Sequence, residues 1–205
     1  MEDKFMQKKI AVINDLSGYG RCSLTVAIPV LSAMGHQCCP IPTAILSNHT
    51  EFPVYFFDDY TEKMTTYTDK WKELGLSFDA IATGFLGSEA QIGIVMEIVQ
   101  KLKAEKTFVV VDPVMVATSG ARLISEEAIA VLKQQLLPLA EVITPNIPET
   151  EVLAEMSVND EHDMEKAARL IGDKYGCAVL CKGGHQINEA NDLLYQNGRF
   201  VWFKG

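Results

Sequence analysis

The sequence is short of basic charge: 18 Lys and Arg stand against 27 Asp and Glu, a formal net charge of -9. No Lys/Arg run interrupts that acidity, which argues against nucleic acid or an anionic membrane surface as a partner. Long apolar runs are missing as well. No segment approaches the ~18 continuous apolar residues that a membrane span needs. The charged stretch from Met1 to Lys9 has neither the apolar centre nor the small-residue cleavage site of a signal peptide. Cysteine is sparse and unpatterned, because Cys22, Cys38, Cys39, Cys177 and Cys181 are odd in number and form no Cys-x-x-Cys pair. The expectation is therefore reduced thiols in the cytoplasm. His36 with Cys38 and Cys39 lacks the spacing of a structural zinc site. There is no Gly-Lys-Ser/Thr for a Walker A loop and no Gly-x-Ser-x-Gly elbow for a serine hydrolase.

What is present is a rhythm of strand and helix. With 205 residues, 48% of them hydrophobic, the chain can bury roughly 70% of its unfolded surface. One α/β domain over residues 1–205 is expected. Short apolar runs at Lys9–Asn14, Gln37–Leu46, Asp79–Thr83, Thr107–Val111, Glu141–Thr144 and Cys177–Lys182 predict strands. Helical spacing predicts helices over Ser23–Met34, Thr61–Leu74, Ser88–Lys103 with Ser88 as N-cap, Ser125–Leu137, Pro148–Met156 and Asp163–Tyr175. Strands separated by helices imply a mostly parallel sheet with helices on both faces. The end differs: Leu193–Tyr195 and Phe200–Phe203 flank Asn197-Gly198, a strong hairpin signal.

In open parallel sheets ligands bind beyond the carboxyl ends of the strands. After the first strand, Asp15-Leu16-Ser17-Gly18-Tyr19-Gly20 offers a carboxylate, a hydroxyl and flexible backbone. It is not a dinucleotide fingerprint, because Ser23 stands at the third glycine position, and a plain strand-to-helix turn accounts for it about equally well. After the second strand come Ser47-Asn48-His49-Thr50-Glu51, and after the third Thr83-Gly84-Phe85-Leu86-Gly87-Ser88; taken alone, each reads as a solvated loop or a turn. Asp112 ends a central strand, where a carboxylate is costly unless it is paired or used on a cation, so contact to Mg²⁺ or phosphate is expected over a buried structural Asp. Asn146 and Glu149 have the spacing of a capping box, and such a helix start also attracts phosphate. Lys182-Gly183-Gly184-His185 suits phosphate contact.

Taken in order, these six segments, with Thr144-Pro145-Asn146 and Glu149 as the fifth, resemble the pyridoxal (pyridoxine, pyridoxamine) kinase family of the ribokinase-like superfamily. Ser47-Asn48-His49-Thr50 is the piece most specific to vitamin B6 kinases. The segments at Asp112, Thr144 and Lys182 are shared with hydroxymethylpyrimidine kinases. The resemblance implies a ribokinase-like fold and ATP-dependent phosphorylation of the 5′-hydroxymethyl group of a B6 vitamer. It implies Asp15, Ser17, Thr50 and Glu51 at the substrate, with the choice between Asp15 and Ser17 as the ring contact left open. It implies Asp112, Thr144, Asn146, Glu149, Lys182 and Gly183 at ATP, and Mg²⁺ on Asp112 and Glu149. A monovalent cation is a further candidate cofactor, and a homodimer is the implied assembly.

The family takes its catalytic base and anion hole from a Gly-Thr-Gly motif followed by Asp or Cys. No Gly-Thr-Gly occurs in these 205 residues, so no base is named and the C-terminal portion is expected to be missing. A chain ending at Gly205 is expected to bind ATP poorly and turn over negligibly. Val116-Ala117 also stands where some relatives carry a second acid. The alternatives are a hydroxymethylpyrimidine (phosphate) kinase of thiamine synthesis and a non-catalytic B6-binding module.

Overall fold

The computed structural model describes residues 7–49, 52–116, 122–183 and 190–204. Two compact units are distinguished, Met1–Phe108 and Val109–Gly205. Both are α/β, with mostly parallel strands, and six helices are shared between them.

The first unit contains β1 (Lys9–Tyr19), α1 (Ser23–Ala33), β2 (Gln37–Asn48), β3 (Phe57–Asp59), α2 (Thr61–Glu73), β4 (Ala80–Thr83) and α3 (Glu89–Leu102). Its strand order is β3-β2-β1-β4. β1 runs parallel to β2 and β4, while β3 is antiparallel on the edge. Alternating residues Ala11, Ile13, Ile41 and Ile81 are wholly buried in this sheet, and α3 contributes Ile92, Val95 and Val99 to the core. Ser88 caps α3 as expected, its hydroxyl accepting from the Gln91 N–H at 3.2 Å. Ser88→Ala should lower the unfolding free energy by about 1 kcal/mol. It would appear as a lower urea midpoint at unchanged slope.

The second unit contains all but the first residue of β5 (Phe108–Val111), then α4 (Glu126–Val131), β6 (Val142–Ile143), α5 (Ile147–Ala154), α6 (Glu161–Tyr175), β7 (Ala178–Cys181), β8 (Asp192–Gln196) and β9 (Arg199–Phe203). Here the order is β5-β6-β7-β8-β9. β5, β6 and β7 are parallel, and β8 and β9 pair antiparallel. The expected hairpin is there, with Asn197 and Gly198 both at positive φ (51° and 77°). That is the type I′ geometry an Asn-Gly pair favours.

Three local expectations are corrected. The glycine-containing stretch Asp15–Tyr19 is not a turn but the second half of β1. Past an irregularity between Asn14 and Leu16, it pairs with an equally extended β2: Leu16 with Ile45, Ser17 with Leu46, Tyr19 with Asn48. β3 was not expected; its Phe57-Asp58-Asp59 is extended by pairing with Leu46, Ile45 and Ala44. The helix expected over Ser125–Leu137 is regular only to Val131, then widens to a π-helical turn at Leu132–Leu136 and tightens to a 3₁₀ turn at Leu137–Leu139. Pro138 is the physical reason, since its ring has no N–H and would clash with the Gln134 carbonyl in a regular helix. Among the described residues no helix is long and apolar enough to cross a membrane.

Candidate active site

In the second unit, β5, β6 and β7 lie side by side and parallel, so the residues that leave them share one rim. Asp112 follows β5, Thr144 follows β6 and Lys182 follows β7. The backbone joins these exits: the Thr144 N–H donates to the Val111 carbonyl at 3.0 Å and the Lys182 N–H to the Pro145 carbonyl at 2.8 Å. The Lys182 ammonium then donates to Asp112 Oδ1 at 2.8 Å. Both side chains keep about a third of their surface in solvent (38% and 35%).

Glu149 is placed differently, being only 2% exposed. Its Oε1 accepts from the Met115 N–H at 3.1 Å and its Oε2 from the Asn146 N–H at 2.8 Å. Burial pushes its carboxyl up to about 7; the Asp112 charge adds to the rise, while the two amides and Lys182 oppose it. Asn146 completes the predicted capping box, its side-chain oxygen accepting from the Glu149 N–H at 2.9 Å. Its Nδ2 donates to the Val116 carbonyl at 2.9 Å. Gly183 donates its N–H to Asp192 Oδ1 at 2.9 Å. A side chain there would run into the Asn191 backbone carbonyl. Thus Asp112, Thr144, Asn146, Glu149, Lys182 and Gly183, six residues scattered over the sequence, converge on this rim.

Among the described residues no group of three or more His, Cys, Asp and Glu could hold a metal. Asp112 and Glu149 are nonetheless within electrostatic reach of each other. Each Glu149 oxygen has a lone pair left after its backbone bond. Two carboxylates suit an ion whose remaining ligands are phosphate oxygens and water, as Mg²⁺ prefers. They do not make an all-protein cage.

In the first unit, Asp15 and Ser17 are both buried in the far half of β1, and the Ser17 hydroxyl donates to Asp15 Oδ2 at 3.3 Å. Thr50 and Glu51 lie outside the described residues. Asn14 was passed over as the end of a strand, yet it ties two strand exits together. Its Oδ1 accepts from the Asp15 N–H at 3.0 Å and from the Phe85 N–H at 2.9 Å. Gly84 packs so closely on that carboxamide that no side chain fits there. The only sequence signal was a polar side chain at the carboxyl end of an apolar strand. Asn14→Ala should cost about 2 kcal/mol or more by stranding two backbone donors, read as a lower urea midpoint. His49 fills the space left by Gly20, which is at φ +119°, and its ring lies 4.6 Å from that of Phe52.

Comparison with known proteins gives a consistent picture. A family model described as phosphomethylpyrimidine kinase matches residues 26–205. The hydroxymethylpyrimidine/phosphomethylpyrimidine kinase of Haemophilus influenzae is 36% identical over 129 residues, covering 60% of this chain and 48% of that protein. With 45% coverage of the Bacillus subtilis protein of the same name, the match spans about half the length of these curated relatives. A crystal structure of a candidate phosphomethylpyrimidine kinase from Bacteroides thetaiotaomicron, with pyridoxal, superimposes with a TM-score of 0.85 at 37% identity, covering 95% of this chain and 71% of that one. The pyridoxal kinase of Staphylococcus aureus in complex with ADP gives a TM-score of 0.82 at 26% identity, covering 96% and 71%.

Proposed function

The chain belongs to the phosphomethylpyrimidine kinase family, and from that premise we propose that it moves the γ-phosphoryl group of ATP onto the hydroxymethyl group of a pyrimidine or its phosphate. The observation that carries this reading is the Asp112–Lys182–Glu149 cluster at the ends of three adjacent parallel strands. Phosphoryl transfer asks for positioning and charge neutralisation more than covalent catalysis. Lys182 is a point charge for the phosphate oxygens, and Thr144 adds a hydroxyl at the same rim. Asp112 and Glu149 are the carboxylates that would hold Mg²⁺. When bound there, the ion would supply charge neutralisation to the transferring phosphate. Gly183 lets the chain leaving Lys182 pass close against the Asn191 backbone, and its N–H is already given to Asp192. The substrate oxygen forms the new bond to phosphorus, ADP leaves, and the hydroxyl proton must go to a base; none of these residues is assigned that part. In the first unit Asp15 is a buried acceptor, suited to an exocyclic amine or ring hydroxyl of a heteroaromatic substrate.

The preference for a pyrimidine over a B6 vitamer rests on the names of the curated relatives. The B6 reading stands second, favoured by the pyridoxal in the Bacteroides structure and by Ser47-Asn48-His49-Thr50. Incubation with MgATP and either hydroxymethylpyrimidine or pyridoxal, followed by mass spectrometry, separates them. At least a tenfold higher kcat/KM for the pyrimidine is expected. A faster reaction with pyridoxal would move the assignment to the second reading. Vitamer binding without product would support the non-catalytic module.

A further inference from the structure

Asn146 was expected among the ATP contacts, but its polar atoms are already committed. The side-chain oxygen accepts from the Glu149 N–H (2.9 Å) and Nδ2 donates to the Val116 carbonyl (2.9 Å). The backbone N–H donates to Glu149 Oε2 (2.8 Å), and the carbonyl accepts from both the N–H and the hydroxyl of Thr150 (2.8 Å each). The side-chain oxygen and one of the two Nδ2 hydrogens are thus spent within the protein, which leaves a single N–H for any phosphate.

Those bonds have a shared geometry. Glu149 bonds the Met115 N–H and Asn146 bonds the Val116 carbonyl, so both members of the capping box also grip the segment that follows Asp112. Met115 is wholly buried there. Asn146 further forms an isolated bridge with Lys182, the residue that pairs with Asp112. We infer that Asn146 is a positioning residue: with Glu149 it staples the 112–116 segment to the start of α5, and so sets where the Asp112 and Glu149 carboxylates stand. This rests on the kinase reading only for its consequence at the nucleotide; the staple itself is a property of the fold.

The test compares wild type, Asn146→Ala and Asn146→Ser, the last keeping an oxygen that can accept from the Glu149 N–H. Hydrogen exchange without ligand should show the Met115 amide exchanging at least tenfold faster in Asn146→Ala and within threefold of wild type in Asn146→Ser. Calorimetric titration with ADP should then show a tenfold loss of affinity in Asn146→Ala when Mg²⁺ is present and less than a twofold change without it, because the residue acts through the carboxylates. Asn146→Ser should recover most of the Mg²⁺-dependent part. An unchanged Met115 exchange rate would overturn the staple. An equal loss of ADP affinity with and without Mg²⁺ would make Asn146 a direct nucleotide contact. If wild type binds no ADP, the consequence at the nucleotide fails for this chain while the exchange measurement still decides the staple. Should Asn146→Ala not fold, slower exchange in Asn146→Ser than in Asn146→Gly supports the staple and equal exchange overturns it.

Discussion

Replacing Lys182 with Met is expected to slow phosphoryl transfer by about 100- to 1000-fold while leaving the fold almost untouched. The two halves of that result come from one geometry. The Lys182–Asp112 pair is short, 2.8 Å, but both partners are about a third exposed. In that setting solvent screens the attraction, and such a pair adds about 0 to 1 kcal/mol to stability. Against a transferring phosphoryl group the same ammonium faces charge that builds only in the transition state. Removing one donor of that kind typically costs about 100- to 1000-fold in rate. Single-turnover kinetics beside a thermal melt measures both. Lys182→Arg should recover only part of the rate, because its planar fork replaces a compact point charge. A transfer rate within fivefold of wild type in Lys182→Met would reduce Lys182 to a surface partner of Asp112.

That pairing shows which features can be read from sequence. Lys182 and Asp112 are 70 residues apart, so nothing local links them. What links them is the rule that exits from neighbouring parallel strands share a rim, together with apolar runs strong enough to mark the strands. The capping box at Asn146 and Glu149 was legible for the opposite reason, being wholly local, and so was the hairpin turn at Asn197-Gly198. The far half of β1 was not legible. Asp15, Ser17 and Gly18 have turn composition, and only the partner strand, at Ile45, Leu46 and Asn48, draws Leu16, Ser17 and Tyr19 out into a ladder. The second grip of Glu149, on the Met115 amide 34 residues away, is equally invisible in one dimension. Substrate choice was not legible in the segments at Asp112, Thr144 and Lys182, which we propose serve the nucleotide. They are common to enzymes acting on different rings.

Glu149→Gln should abolish a pH dependence of stability that the wild type carries. Ordinarily a Glu carboxyl titrates near 4.5; burial holds the Glu149 carboxyl at about 7 in the folded chain. Below 4.5 both states are protonated and the contribution is whole. Between 4.5 and 7 the unfolded chain releases its proton and the folded one keeps it, so folding stability falls as pH rises through this window. Above 7 both are ionised and the loss is complete, on the order of 3 kcal/mol. Gln cannot ionise, and the slope goes with the proton. The exchange has a cost, because Glu149 accepts two backbone N–H groups through two oxygens and a carboxamide has only one. Stranding either amide costs about 1 to 3 kcal/mol at every pH. The variant should therefore be the less stable protein at pH 5 and approach or match the wild type at pH 8. Urea unfolding of both proteins across that range gives a difference curve in which every other titrating group cancels. Adding Mg²⁺ with ADP at pH 8 should widen the gap again, because only the carboxylate gains from a nearby cation. Two curves that stay parallel from pH 5 to 8 would mean that Glu149 is ionised throughout, and its place as a buried acid waiting for a cation would be lost.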